Sequence, residues 1–172
     1  MEMPSTQSPP REHHPLVIGV AAGLLAGTVT AMTDKLLGRL VSEEQKRRDK
    51  MVRPGSAHEV AGPHFGTKIV GHELSEQGAQ RAKTLFNLAY GIGWGLVYAG
   101  VRRQVPQLSR LAALPFGVIF FAACDGMLAP LFGVSPTLRK IPWQPNAKEL
   151  GNHLAWAASA EMVHRTATRL GG

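Results

Sequence analysis

The sequence predicts an all-α, polytopic membrane protein with four transmembrane helices and a long polar loop after the first. Three observations carry that expectation. Residues 111–134 hold a single charged side chain, Asp125, in 24 positions, and this run exceeds the ~20 residues that cross the hydrocarbon of a bilayer. Residues 16–32 and 85–101 are two further intervals with no charge at all. Charge is segregated as a bilayer requires, since ten of the 19 Lys and Arg residues lie in 34–83 together with seven acids. Spans are expected near 15–34, 83–102, 111–131 and 148–167, with 35–82 outside the membrane. Residues 1–14, polar and proline-bearing, read as a disordered tail.

At 172 residues the chain fits one domain, and its near-zero mean hydropathy is an average of apolar spans and one polar segment. The net charge of +7 raises nucleic acid as a partner. No basic stripe is interleaved with stacking aromatics, so nucleic acid is not expected and anionic lipid headgroups account for the charge. Cys124 is the one cysteine. It excludes an intramolecular disulfide and a thiolate metal site.

In the first span Gly19, Gly23, Gly27 and Ala31 recur every fourth residue, which strips one helix face and admits a close neighbour. Gly91 and Gly95 form a matching pair in the second span. A cleaved signal peptide competes for the first span through Val29-Thr30-Ala31, but the positive n-region is missing and a retained span is expected. The string from Gly91 to Gly95 resembles a dinucleotide loop only superficially, because it lies inside an apolar helical run with no strand before it.

Residues 34–52 are expected to continue the first helix to the interface, with Leu36, Leu37, Leu40 and Val41 on one side. Residues 54–71 read as a loop on their Pro and Gly content. His58, His64 and His72 match no zinc-site spacing, and no metal is expected. Ser75 should cap the next helix, and Arg102 and Arg103 should end its span. Residues 104–110 read as a tight connector, and Pro115 suits a first helical turn. Gly126 and Pro130 suggest that the third span kinks or ends early and that the chain re-enters through Leu131, Phe132 and Gly133.

Polar residues then appear where lipid should exclude them. An ionised side chain at bilayer depth costs ~2.5 to 3.5 kcal/mol on insertion scales, so Asp125 needs a partner. On the fourth segment Glu149, His153, Trp156, Ala160 and His164 share one face, with Leu150, Leu154, Ala158 and Met162 opposite and toward lipid. Glu161 lies between these faces and can pair with Arg165 one turn on. Asp125, His153 and His164 together could form a protonatable path, or these groups could only tie helices together. Haem ligation by both histidines of one chain fails, since 11 residues separate them by roughly 16 Å of helix. No Ser-His-Asp spacing or phosphate loop is present, and enzyme activity is not expected.

The run Pro130-Leu131-Phe132-Gly133-Val134-Ser135-Pro136, followed by Ile141-Pro142-Trp143, Asn146, Glu149-Leu150, His153-Leu154, Trp156, Glu161 and Arg165, resembles the C-terminal half of the YagU-like family of bacterial inner-membrane proteins. The resemblance implies a multi-pass inner-membrane location and no established biochemical activity. It also directs attention to Trp143, Glu149, His153, Trp156 and Glu161.

The leading functional expectation is a non-catalytic scaffold or accessory subunit without cofactors, in contact with lipid and with copies of itself or a larger membrane complex. The alternatives are a proton- or ion-linked protein or pH sensor using Asp125, His153 and His164, and a haem- or metal-binding membrane subunit. They differ in one structural respect. The scaffold requires Glu149 and His153 buried in helix contacts with no cavity, whereas the proton-linked reading requires a polar cavity at Asp125. For orientation, basic residues favour cytoplasmic connectors and the family resemblance favours cytoplasmic termini.

Overall fold

The computed structural model describes residues 15–170, and every regular element in them is helical. The expected tail at 1–14 lies outside the described residues. Helix α1 (Pro15–Gly38) packs on α4 (Glu76–Gln104) and α7 (Trp143–Leu170). A continuous rod from Leu114 to Leu131, made of α5 (Leu114–Phe121), a π-helical stretch (Ala122–Leu128) and α6 (Ala129–Leu131), lies against α7. Two shorter helices, α2 (Glu43–Val52) and α3 (Ala57–Val70), fill the connection between α1 and α4. By length and apolarity two of these rods can cross a membrane, Pro15–Gly38 and Leu114–Leu131.

Glycine decides how closely α1 and α4 approach. A methyl group on Gly95 would fall on the Gly19 carbonyl and within 2.8 Å of the Gly23 backbone, and one on Gly23 would fall on the Gly91 carbonyl. The seam is therefore backbone against backbone, as small residues at this spacing allow. It is shorter than expected. Gly27 has nothing within 4 Å of its would-be Cβ, because the two helices have already diverged at that level.

Three expectations about the connection from α1 to α4 need correction. Helix α1 stops at Gly38 and does not run on to Val52; a break at 39–42 follows, where Ser42 accepts from the Gln45 amide and caps a separate α2. Residues 57–70, expected as loop, are helix α3. Its glycines serve contact and not turns: a Cβ on Gly62 would stand 2.5 Å from the Ala82 carbonyl oxygen, and one on Gly66 2.9 Å from Leu74 Cδ1. Only Gly71, at φ +77°, ends the helix as a left-handed cap. The segment 35–82 is thus largely helical, and α3 is docked on α4 and bonded to the Phe132 carbonyl through His64 Nε2 at 3.1 Å.

The start of α3 carries a pH dependence. The Ser56 backbone N–H donates to the Glu59 carboxylate at 3.1 Å and the Ser56 hydroxyl at 2.9 Å. Burial raises the Glu59 carboxyl, but these two donors outweigh it and hold it below the ordinary glutamate range. A depressed carboxyl contributes stability that is present above its unfolded value and is lost as pH falls through the folded one. Amide exchange in the first turn of α3 should therefore accelerate below about pH 4, and Glu59→Gln should remove that pH dependence.

Ser75 caps α4 through the Gly78 amide, and α4 runs one residue past Arg103. The 3₁₀ turn Pro106–Leu111 follows. Ala112 and Ala113 then take left-handed conformations, at φ 48° and 60°, so the third long rod starts at Leu114 and not at Leu111. Pro115 sits in its first turn, where a missing N–H is harmless. No re-entrant loop follows Asp125. The backbone stays helical to Leu131: Gly126 lies within the π stretch and Pro130 in the first turn of α6, and neither breaks the rod.

Candidate functional site

Beside the α1–α4 crossing lies a half-open cavity of about 850 Å³, lined from α1, α3, α4, the Leu114–Leu131 rod and α7. At ~30 Å³ per molecule, that volume has room for many waters. One wall is aromatic: Phe65, Phe86, Tyr90, Phe120 and Trp156. The polar lining residues include Asp34, Asp125, Glu149, Asn152 and His153, with the cations of Lys35 and Lys83.

Local sequence explains how each of these residues is presented. The π stretch shifts the helical register at Ala122–Leu128 and carries Asp125 within it. Such stretches recur at functional sites because they re-aim side chains that a regular helix would direct elsewhere. Gly117 lets α5 lie directly on α7, since a Cβ there would be 3.0 Å from the His153 carbonyl oxygen and 3.1 Å from Leu154 Cα. Leu154, expected to face lipid, is therefore a helix contact. This close approach brings the Phe120 ring edge-on to His153 at 4.5 Å, with Phe121 at 5.6 Å on the same ring.

His153 Nδ1 lies 2.9 Å from the Glu149 carbonyl oxygen. A carbonyl can only accept, so Nδ1 carries the hydrogen and Nε2 is left to face Asp125. The distance from Nε2 to Asp125 Oδ2 is 3.5 Å, a charge contact longer than a normal hydrogen bond. Unless a proton resides on one of these two atoms, a nitrogen lone pair opposes a carboxylate oxygen. One proton shared between Asp125 and His153 thus decides whether the contact between the π stretch and α7 is attractive or repulsive.

Beside this pair is an ion network that ties three segments together. Lys148 Nζ is 2.7 Å from Asp34 Oδ1 and 3.3 Å from Glu149 Oε1. Asn152 donates to Asp34 at 2.7 Å and to Glu149 at 3.4 Å. Arg53, at the end of α2, is buried between Asp49 at 2.8 Å and Glu149 at 3.9 Å. Arg53 and Lys148 do not line the cavity, whereas Glu149 and Asp125 do, together with Lys35 and Lys83.

Of the six polar candidates read from the sequence, Asp125, Glu149, His153 and Trp156 meet at this cavity. Glu161 and His164 do not. They belong to a second cluster toward the other end of α7, where Glu161 Oε2 accepts from the Tyr98 hydroxyl at 2.5 Å and from Arg102 Nε at 2.7 Å. The Arg165 Nε donates to Glu161 Oε1 at 2.8 Å, as expected one turn on, and the same guanidinium reaches the Ser109 carbonyl. The His164 ring stands edge-on to Tyr98 at 5.5 Å. His164, expected to share a path with Asp125 and His153, therefore does not join them at the cavity.

Sequence reasoning missed Asp34, Arg53, Lys148 and Asn152 as members of the site. Asn152 was within reach of it, being one turn from Glu149 on the same face. Arg53 gave no such signal, because its partners lie on α7 and at the end of its own helix.

No family model matches this chain, and neither does any solved structure. Among curated proteins it is similar to the inner membrane protein YagU of Escherichia coli (strain K12), with 27% identity over 81 residues. That alignment covers 47% of this chain and 38% of the relative. The similarity is to part of an inner-membrane protein, and this chain has two rods long and apolar enough to cross a membrane.

Proposed function

We propose that the chain is a four-span inner-membrane protein whose cavity takes up and releases protons at Asp125 and His153. Helices α4 and α7, with 29 and 28 residues, are each over ~40 Å long at 1.5 Å per residue, more than the ~30 Å hydrocarbon core. In α7 polar side chains turn inward, with Glu149, Asn152, Glu161 and His164 all buried and Met162 exposed, and in α4 the residues buried against the bundle are Gly91, Gly95, Tyr98 and Ala99 while Leu85 and Leu88 are exposed. That arrangement suits lipid as the surrounding solvent. The segments 39–75 and 132–142 then share one side, joined by the Arg53–Glu149 and His64–Phe132 contacts.

The observation that carries the proton reading is the Asp125–His153 pair on the wall of a largely apolar cavity, where Asp34, Glu149 and Asn152 join it. Intramembrane ionisable groups of this kind mark ion and proton pathways. A purely structural tie needs no such space around it. The role is one of proton uptake and release, with no covalent chemistry on a substrate. The accessory-subunit reading rests instead on the Glu161 cluster, where Tyr98, Arg102 and Arg165 all bond to the Glu161 carboxylate.

Purified protein in proteoliposomes with an entrapped pH-sensitive dye tests the proposal. An imposed pH gradient should collapse faster than in empty vesicles, and Asp125→Asn or His153→Gln should return the rate to that of empty vesicles. Wild-type vesicles indistinguishable from empty ones would rule out transmembrane proton movement by this site.

A further inference from the structure

We propose that a cleft between α2 and the turn preceding α7 binds the headgroup of an anionic phospholipid. The cleft has a volume of about 420 Å³. Buried Ile141 with Pro142 gives it an apolar floor, and the exposed Met51, Val52 and Trp143 line it together with a polar rim of Gln45, Arg48, Arg139 and Lys140.

The rim is built and not incidental. Asn146 donates from one amide to the Leu138 carbonyl at 2.8 Å and to the Ile141 carbonyl at 3.1 Å, which fixes the turn that presents Arg139 and Lys140. Helix α2 is held against the same end of α7 by Arg53 on Glu149 and by the Ser42 amide, which donates to Gln144 Oε1 at 2.7 Å. Arg48 is paired with Glu44, but Arg139 and Lys140 are exposed and form no ion pair among the described residues.

The surroundings point to a lipid and not to a free ion. Met51 is 79% exposed and Trp143 68% exposed, and Leu36 at the end of α1 and Leu40 in the break after it are exposed too. Such a face is unfavourable in water and matches the boundary between headgroups and acyl chains, where tryptophan concentrates. Basic pockets at this depth hold acidic headgroups, the phosphate meeting the cations while the glycerol and first methylenes lie on the apolar floor. The proposal needs only the membrane location, and stands apart from the proton reading.

The test uses the full chain in nanodiscs of phosphatidylcholine mixed with phosphatidylglycerol, with native mass spectrometry counting the lipids that stay bound. Phosphatidylglycerol should be retained over phosphatidylcholine, and R139Q/K140Q should weaken that preference about 30-fold. R103Q/R169Q, which removes two cations at the opposite end of the bundle, should keep it. Both variants alter exposed side chains, and circular dichroism with gel filtration verifies that each stays folded. Equal retention of the two lipids overturns the proposal, as does an unchanged preference in R139Q/K140Q. Displacement of the bound lipid by inorganic phosphate alone also overturns it, by showing a site for the free anion.

Discussion

Glu161→Gln is expected to lower the stability of the detergent-solubilised protein by about 3 kcal/mol, within the range for breaking a buried ion cluster by removing one partner. Glu161 is 1% exposed and takes contacts from Tyr98, Arg102 and Arg165. These join α4 to α7, and Arg165 extends the link to the turn at Ser109. An amide of the same shape removes the charge and turns an N–H toward two guanidinium groups, which can only donate. The expected loss lies at the low end of the range because the Arg165 side chain is 44% exposed and recovers some hydration. Tyr98→Phe removes one hydrogen bond to a charged acceptor and should cost less, about 1.5 to 3 kcal/mol. Thermal unfolding in a fixed detergent reads both. A Glu161→Gln protein melting with the wild type would show that the cluster contributes nothing.

Gly95→Val is the second large effect. Its first added carbon falls on the Gly19 carbonyl, and helix backbones, unlike side-chain tips, have no rotamer by which to move away. Over-packing costs about 1 to 3 kcal/mol where side chains can adjust, and this site should lie at the top of that range or beyond it. The control is Gly27→Ala. Nothing lies within 4 Å of its new methyl, and alanine is favoured over glycine in a helix interior by roughly 0.5 to 1 kcal/mol. One glycine substitution should therefore lower the melting temperature while the other leaves it unchanged or raises it. If both lower it equally, the α1–α4 crossing is not where the structure has it.

What could be read from the sequence was local. The Ser75 cap, the end of α4 just past Arg103, the first-turn Pro115 and the pairing of Glu161 with Arg165 all depend on neighbours within one or two turns. The glycine face of α1 was legible for the same reason, since its spacing is a property of one helix. Helix α3 was not, because glycine and proline mark turns and close helix contacts alike, and only the presence of α4 against Gly62 separates the two. The left-handed Ala112 and Ala113 left no trace, as alanine is an ordinary helix former. Asp125 was conspicuous in its apolar run, but its partner was undetermined until the π stretch set its direction. Periodicity placed His153 and His164 on one face, and could not show that α5 meets the first while Tyr98 meets the second.

The central claim, that four helices cross the bilayer with the cavity between them, is tested most directly by single-cysteine labelling in intact cells and inverted vesicles. The chain's one cysteine makes this practical, because Cys124→Ser supplies a cysteine-free background. Arg39→Cys and Lys140→Cys should react with a membrane-impermeant maleimide from the same side, and Ser109→Cys from the opposite side. Labelling of all three from one side, or recovery of the protein in the soluble fraction, would contradict the four-span arrangement and remove the setting on which the Asp125–His153 reading depends.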